Sequence, residues 1–567
     1  MPEKRKPSLL LTLGAAGLLI GGGATAYWVF LQSQGQLENL PVGSNIIPQD
    51  ALVALSISTN TQQWQQLQQF GTPQIQAQLK TNLAQLGDRL LTANGYNYQR
   101  DIQPWVGKEV SIAFLPPSIP TPATPNSSSP PNSDRQQSLV MVLPIANQIA
   151  AKRILEQPKP SAQGKTRQRN YKGVEIRETQ GAKAQYYSAA VLDGRYLIVT
   201  DRPQATDRAI DTYKGAAASL KQTAGYTNAF EQIATKQRFA QLYVNVPVAA
   251  RIAAANPSRS FSPQGLAQLQ NNQGVAATIN LESEGIRLKS VSWRKPDSQQ
   301  VFAVENNAGK MQSRLPAETL MMLSSGNLQR LWQEYAREVQ SNPQAPIRPQ
   351  ELRKGVTSVT GLDLDQDLLS WMDGEFAVSM VPAAPKAGAP DNFALSLVFL
   401  VQTKNRNKAE QALFQLERVM RSKYQFQVRE TKIKDRTVTN WIAPYGTVAT
   451  RGWLDGDVAF FALGAPVAER LIPQPPSSLA SAAQFQQTVP SALNATNGQF
   501  FLDVEPAVKA LPLPQMFSGQ QIFFDATRSI GVTSAISSDR SIRYDVFVAL
   551  KKIGSRESRV GKRAIGS

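Results

Sequence analysis

The chain matches itself, and that most constrains its fold. "IPQDALVALSISTNTQQW" (Ile47–Trp64) aligns without a gap on "LPAETLMMLSSGNLQRLW" (Leu315–Trp332). Trp64 falls on Trp332 and Pro48 on Pro316. Further on, "DIQPWVGKEVSIAFLPP" aligns on "DLLSWMDGEFAVSMVP", placing Asp101 on Asp367, Trp105 on Trp371 and Glu109 on Glu375. "LDGRYLIVTD" pairs with "LDGDVAFFAL" (Asp193-Gly194 with Asp455-Gly456), and "YVNV" (Tyr243) with "FLDV" (Phe501). Matches in one order with similar spacing predict a unit used twice, over 46–295 and 313–552, with a linker at 296–312.

Each unit reads as α+β. Short apolar or alternating runs (Ala51–Ser56, Glu109–Phe114, Leu139–Leu143) predict strands. Trp64, Leu67 and Phe70 are spaced for one Gln-rich helical stretch over Thr61–Leu91. Asp-Gly between alternating runs predicts a two-residue hairpin, because that turn needs positive φ at both central residues. Hairpins in turn imply an antiparallel sheet. Pro/Ser/Ala-rich stretches at 116–137 and 382–392 read as surface loops.

Residues 1–7 form a basic stub, and "SLLLTLGAAGLLIGGGATAYWVF" over 8–30 carries no charge. That is long enough for a spanning helix of roughly 20 apolar residues. Lys4, Arg5 and Lys6 before it predict a single-pass anchor with the N-terminus cytoplasmic. The linker 31–45 and the body would then be periplasmic or thylakoid-luminal. A cleaved signal peptide ending near Ala24-Thr25-Ala26 is the rival reading, and the apolar run continuing to Phe30 favours the anchor.

With no Cys and no His, the 567-residue chain has no disulfide, no Cys/His zinc site and no His-based triad. Carboxylate pairs, Ser-Lys or carboxylate-bound Mg²⁺ remain open. The formal charge is +18. Residues 553–567 form a basic tail suited to anionic lipid. No nucleic-acid motif appears. "GLDLDQD" suggests Ca²⁺, but an EF-hand loop starting at Asp363 would need Gly and Glu where Leu368 and Gly374 stand. No cofactor site, metal site or catalytic residue is assigned. Trp64, Asp101, Trp105, Glu109, Asp193 and Gly194 are read as structural markers, with Trp332, Asp367, Trp371, Glu375, Asp455 and Gly456 as their counterparts.

The anchor, the repeated D-x-x-x-W-x-x-x-E corner, the L-D-G hairpin and the Gln-rich helices resemble cyanobacterial members of the family called domain of unknown function 3352. The resemblance implies a location, thylakoid lumen or periplasm, and an architecture rather than a mechanism. The expected function is a non-enzymatic, membrane-anchored scaffold or assembly factor at the thylakoid or cell envelope, with a membrane-protein partner. The alternative is a carrier of lipid or another hydrophobic ligand, recognisable by a lipid-sized pocket. A carboxylate-based hydrolase ranks third.

Overall fold

The computed structural model describes residues 39–90, 96–116, 137–155, 165–180, 186–254, 271–299, 301–339, 348–382, 395–444, 446–454, 456–464, 466–493, 495–510 and 521–553. Two compact units emerge. Among the described residues, the N-terminal unit runs to Ser283 and includes Leu288–Val301, and the C-terminal unit comprises Glu284–Arg287 and Phe302 onward.

The N-terminal unit holds β1 (Val53–Ser58), β2 (Glu109–Leu115), β3 (Ser138–Pro144), β4 (Lys165–Tyr171), β5 (Val174–Gln180), β6 (Tyr186–Leu192), β7 (Tyr196–Thr200), β8 (Ala240–Asn245) and β9 (Asn272–Glu282). They pair antiparallel in the order β4-β5-β6-β7-β3-β2-β1-β8-β9. Strand side chains alternate between faces, so this sheet fills two cores. On one face Ala54, Ala113, Val140, Ile198 and Tyr243 pack with Tyr226 and Phe230. On the other, Ile112, Met141 and Val199 pack under helix α3 (below) and the Trp105 corner.

The expected helix over Thr61–Leu91 is two helices, α1 (Thr61–Leu67) and α2 (Pro73–Leu90). Gly71 has φ +92°, and Pro73 has no N–H to continue the α1 ladder. The other helices used below are α3 (Gln148–Leu155), α4 (Pro203–Tyr213) and α5 (Val246–Ala254).

After β10 (Gly285–Arg294), the C-terminal unit holds β11 (Met321–Ser325), β12 (Phe376–Pro382), β13 (Leu395–Gln402), β14 (Gln427–Ile433), β15 (Arg436–Ala443), β16 (Gly446–Trp453), β17 (Val458–Gly464), β18 (Gly498–Asp503), β19 (Thr527–Ser538) and β20 (Ser541–Leu550). They pair antiparallel in the order β14-β15-β16-β17-β13-β12-β11-β18-β19-β20. Helices α6 (Leu328–Val339), α7 (Pro349–Thr360), α8 (Arg406–Ser422), α9 (Val504–Ala510) and α10 (Gln521–Ala526) lie around this sheet.

The α+β class stands, but two expectations need correction. The units are not two consecutive copies, because the division passes inside β10 and assigns Glu284–Arg287 to the C-terminal unit and Leu288–Val301 to the N-terminal one. Nor does the expected transmembrane helix appear. Among the described residues no helix is long and apolar enough to cross a membrane. The longest, the 18-residue α2, is Gln-rich and carries Lys80, Asp88 and Arg89. Residues 8–30 and the basic tail beyond Ile553 lie outside the described residues, as do 117–136 and 383–394. The single-pass membrane topology, the cytoplasmic N-terminus with a periplasmic or luminal body, and the membrane partnership lose their support and are not carried further.

Gly225 marks a tight joint in the N-terminal core. Its φ is +78°, and an added Cβ would lie 2.6 Å from Trp293 Nε1, which donates to the Ala224 carbonyl at 2.9 Å. Gly225→Ala should therefore destabilise the protein by about 2–4 kcal/mol through strain and overpacking. Urea denaturation followed by tryptophan fluorescence measures this; an unchanged midpoint would contradict it.

Candidate functional site

The repeated corners are built alike. Asp101 accepts the Asn97 N–H at 2.8 Å, and Asp367 accepts the Asp363 N–H at 2.8 Å. Each carboxylate thus closes a short turn onto the backbone four residues earlier. Trp105 is buried and donates to the Asp101 carbonyl at 2.7 Å. Trp371 is buried with Phe376, Val401 and Ala409. Asp363 caps its turn through Asp365 N–H and Gln366 N–H, so its carboxylate is engaged without a metal. Among the described residues, no group of three or more Asp or Glu is placed to hold a metal ion.

The glutamates that open β2 and β12 are both buried but satisfied differently. Glu109 meets Arg238 Nε at 2.6 Å, with both side chains under 5% exposed, and accepts Ser56 Oγ at 3.1 Å. Glu375 accepts three backbone N–H groups, from Gly309, Lys310 and Met311, at 2.7, 2.8 and 3.2 Å. Trp64 donates to the Ser58 carbonyl at 2.8 Å, and Trp332 donates to Asp365 Oδ1 at 2.7 Å. Arg353, bonded to Asp365, holds that carboxyl below the usual range.

Asp193 and Gly194 have φ of 48° and 65°, as a type I′ turn needs, and Arg195 adds a third residue before β7. Asp193 accepts the Tyr213 hydroxyl at 2.8 Å. The Gly456 carbonyl accepts Arg406 Nη1 at 3.2 Å; Asp455 lies outside the described residues. These side chains serve their own turns and cores and do not converge on a shared cleft. Two acid pairs that approach each other, Glu178 with Asp207 and Glu410 with Glu417, each share one arginine, Arg169 and Arg451.

The buried pair itself is testable. Arg238→Met leaves the buried Glu109 without its ion-pair partner, and should cost about 3–5 kcal/mol. Adding Glu109→Gln should recover part of that loss in a double-mutant cycle. Additive losses in denaturant melts would contradict this coupling.

The sequence markers miss a different feature. In the C-terminal unit, the strand register lines up two rows of apolar side chains across one sheet face. One row runs Phe461–Phe399–Val378–Leu323–Phe500–Val532. The next runs Leu463–Leu397–Met380–Met321–Leu502–Ile530. Helix α8 covers the β15–β17 side, where Leu416, Val419 and Met420 pack with Trp441, Ala449 and Phe461. Helices α9 and α10 cover the other side, where Val504, Ala507 and Phe524 pack on Leu502. The Trp371 corner closes one end against Val378 and Phe399.

Between these walls the floor is partly exposed, with no cover among the described residues. Leu323, Leu397 and Leu463 are 42%, 38% and 39% exposed, while Met321, Val378, Met380 and Phe399 are half-buried. From β17 to β11 is three strand spacings, about 14 Å. In the N-terminal unit the row through Leu55, Ile112 and Met141 is buried, at most 6% exposed, whereas in the next row Phe114, beside Leu139, is 36% exposed.

The signal was present in the sequence. β11, β12 and β13 read "MMLSS", "FAVSMVP" and "LSLVFLVQ", apolar on both faces, and such a strand needs cover on both. A recess of about 50 Å³ also occurs in this unit, lined by polar residues including Glu305, Asn327 and Arg330. It is on the scale of ordered water, not of a lipid.

A family model described as "Protein of unknown function (DUF3352)" matches residues 12–550. The chain belongs to the DUF3352 family. No curated protein matches it. Among solved structures, crystal forms I, III and IV of TP0453 are similar to this DUF3352 chain at 9%, 9% and 8% identity, with TM-scores of 0.25, 0.24 and 0.23. They cover 46%, 46% and 45% of the DUF3352 chain and 81%, 82% and 80% of their own. Likeness at that level carries no argument about function.

The expected membrane-anchored scaffold or assembly factor is corrected here as well. Its anchor has no counterpart among the described helices, and the open apolar floor is the feature that calls for an occupant.

Proposed function

We propose that this DUF3352 chain is a carrier or sensor of a hydrophobic small ligand, such as a lipid acyl chain, held in the trough of its C-terminal unit. One observation carries the reading: three leucines about two-fifths exposed sit on a floor of apolar side chains, between helical walls. Covering the floor would bury the remaining two-fifths of each of these side chains, worth about 0.6–1.2 kcal/mol apiece. Met321 and Met380 add unbranched, polarizable side chains that adapt to ligand shape. Helices α8 and α9 flank the floor, and small-ligand sites are commonly built between such walls. The trough replaces the enclosed lipid-sized pocket that the carrier alternative anticipated. A non-enzymatic role is consistent with the arginine-neutralised acid pairs and with the absence of cysteine.

Titration of the full chain with the uncharged fluorescent probe N-phenyl-1-naphthylamine tests the reading. Saturable binding at one site is expected. Leu397→Asp should weaken it at least about tenfold, the equivalent of 1.4 kcal/mol. Phe114→Asp, on the N-terminal unit, should leave it unchanged. Absence of saturable binding, or equal loss from both substitutions, would overturn the proposal.

A further inference from the structure

Helix α9 walls the trough, so what fixes α9 governs access. Its Val504, Ala507 and Val508 pack on Met321, Phe500, Leu502 and Ile530. The helix starts at Val504, directly after Asp503, the last residue of β18, whose N–H donates to the Leu320 carbonyl at 2.8 Å. The N-terminal unit has the same step. There the Asn245 N–H donates to the Leu52 carbonyl at 2.9 Å, and α5 follows.

The side chains at the two steps differ. Asn245 makes two bonds: Nδ2 donates to the Gln49 carbonyl at 3.1 Å, and Oδ1 accepts the Val248 N–H at 3.2 Å. Together they tie the helix start to the turn before β1. Asp503 makes neither among the described residues. Three residues on stands Pro506, which has no N–H to offer. A charged carboxylate has no proton to donate to the carbonyl of Ala317, the residue aligned with Gln49. Among the described residues, the half-buried Asp503 carboxylate has no hydrogen bond or ion pair.

We infer that Asp503 is a protonation-dependent latch on the trough wall: neutral, it donates its hydroxyl to the Ala317 carbonyl and ties α9 to the Pro316–Thr319 turn; charged, it releases the helix. The inference rests on the trough as the ligand site and adds its regulation.

The surroundings favour the neutral form. Burial, with the nearby Glu505 charge, pushes the Asp503 carboxyl up to about 6. The neighbouring charges are otherwise engaged. On α9, Glu505 meets Lys509 at 2.9 Å and is held below its usual range by that bond, with Lys551 at the end of β20 contributing. On β19, Arg528 pairs with Glu284, which Lys552 shares. Before β11, Glu318 pairs with Arg470. Asp525 is the acid of α10.

The sign follows from the raised pKa. The unfolded carboxyl loses its proton near 3.8 and the folded one near 6. The latch therefore adds stability below that window, and the contribution is lost as pH rises through it.

Hydrogen exchange at 503–510, melting temperature and probe binding, measured on the full chain between pH 4.5 and 7.5, test the latch. In the wild type, exchange at 503–510 should quicken several-fold as pH rises through about 6, after correction for intrinsic rates. Asp503→Asn, which keeps a donor, should stay slow throughout, and its melting-temperature advantage over wild type should grow with pH. Asp503→Ala, with neither donor nor charge, should stay fast throughout. Probe affinity in the wild type should be higher at pH 7.5 than at pH 5, and flat in both variants. An Asn variant that follows the wild-type exchange profile, or an Ala variant as slow as the Asn variant, would overturn the latch. If exchange behaves as expected and no probe binds at any pH, the latch stands and the ligand reading fails.

Discussion

An antiparallel sheet has two faces, and an apolar face left in water is unfavourable by about 25 cal/mol for each Å². Much of this structure follows from how each face is covered. In the N-terminal unit one face is closed by the cluster around Tyr226 and Phe230, and most of the other by α3 and the Trp105 corner, with Phe114 left 36% exposed. In the C-terminal unit the first face is closed in the same manner around Phe460 and Phe501. Among the described residues the second is closed only at its margins. The open strip between α8 and α9 is where the fold leaves apolar surface uncovered.

The corners at Asp101 and Asp367 hold the sheets to their helices. Their acids are spent on backbone N–H groups, and the glutamates beside them are spent on Arg238 or on a nest of three amides. Such groups are expensive to bury, and both oxygens of the buried Asp101, Glu109 and Glu375 have donors. This explains why "DLLSWMDGEF" looks chemically rich yet gathers no substrate cleft. Its Trp371 and Phe376 pack beside Val378 and Phe399 at one end of the trough.

Much of the fold was legible in the sequence. Alternation marked β2, Asp193-Gly194 marked a hairpin, and the D-x-x-x-W-x-x-x-E spacing marked the corners. Arg238 was not legible as the partner of Glu109, because 129 residues separate them and only the sheet register brings them together. The break at Gly71-Thr72-Pro73 was legible but outweighed by apolar spacing across it. The trough was half legible. Strands apolar on both faces showed a need for two covers, whereas the absence of the second cover depends on where α8 and α9 pack. The step from Asn245 to Asp503, with Pro506 three residues on, lies in plain sequence, but it acquires meaning only once the two helix starts are seen in place.

The central claim is that the open face of the C-terminal sheet holds a hydrophobic chain. Photo-crosslinking with a diazirine-bearing hexadecanol, followed by peptide mapping of the full chain, addresses it most directly. Adducts should concentrate on Met321–Ser325, Phe376–Pro382, Leu395–Gln402 and Val458–Gly464. Adducts spread evenly over the chain, or concentrated on Glu109–Leu115 and Ser138–Pro144, would contradict the account.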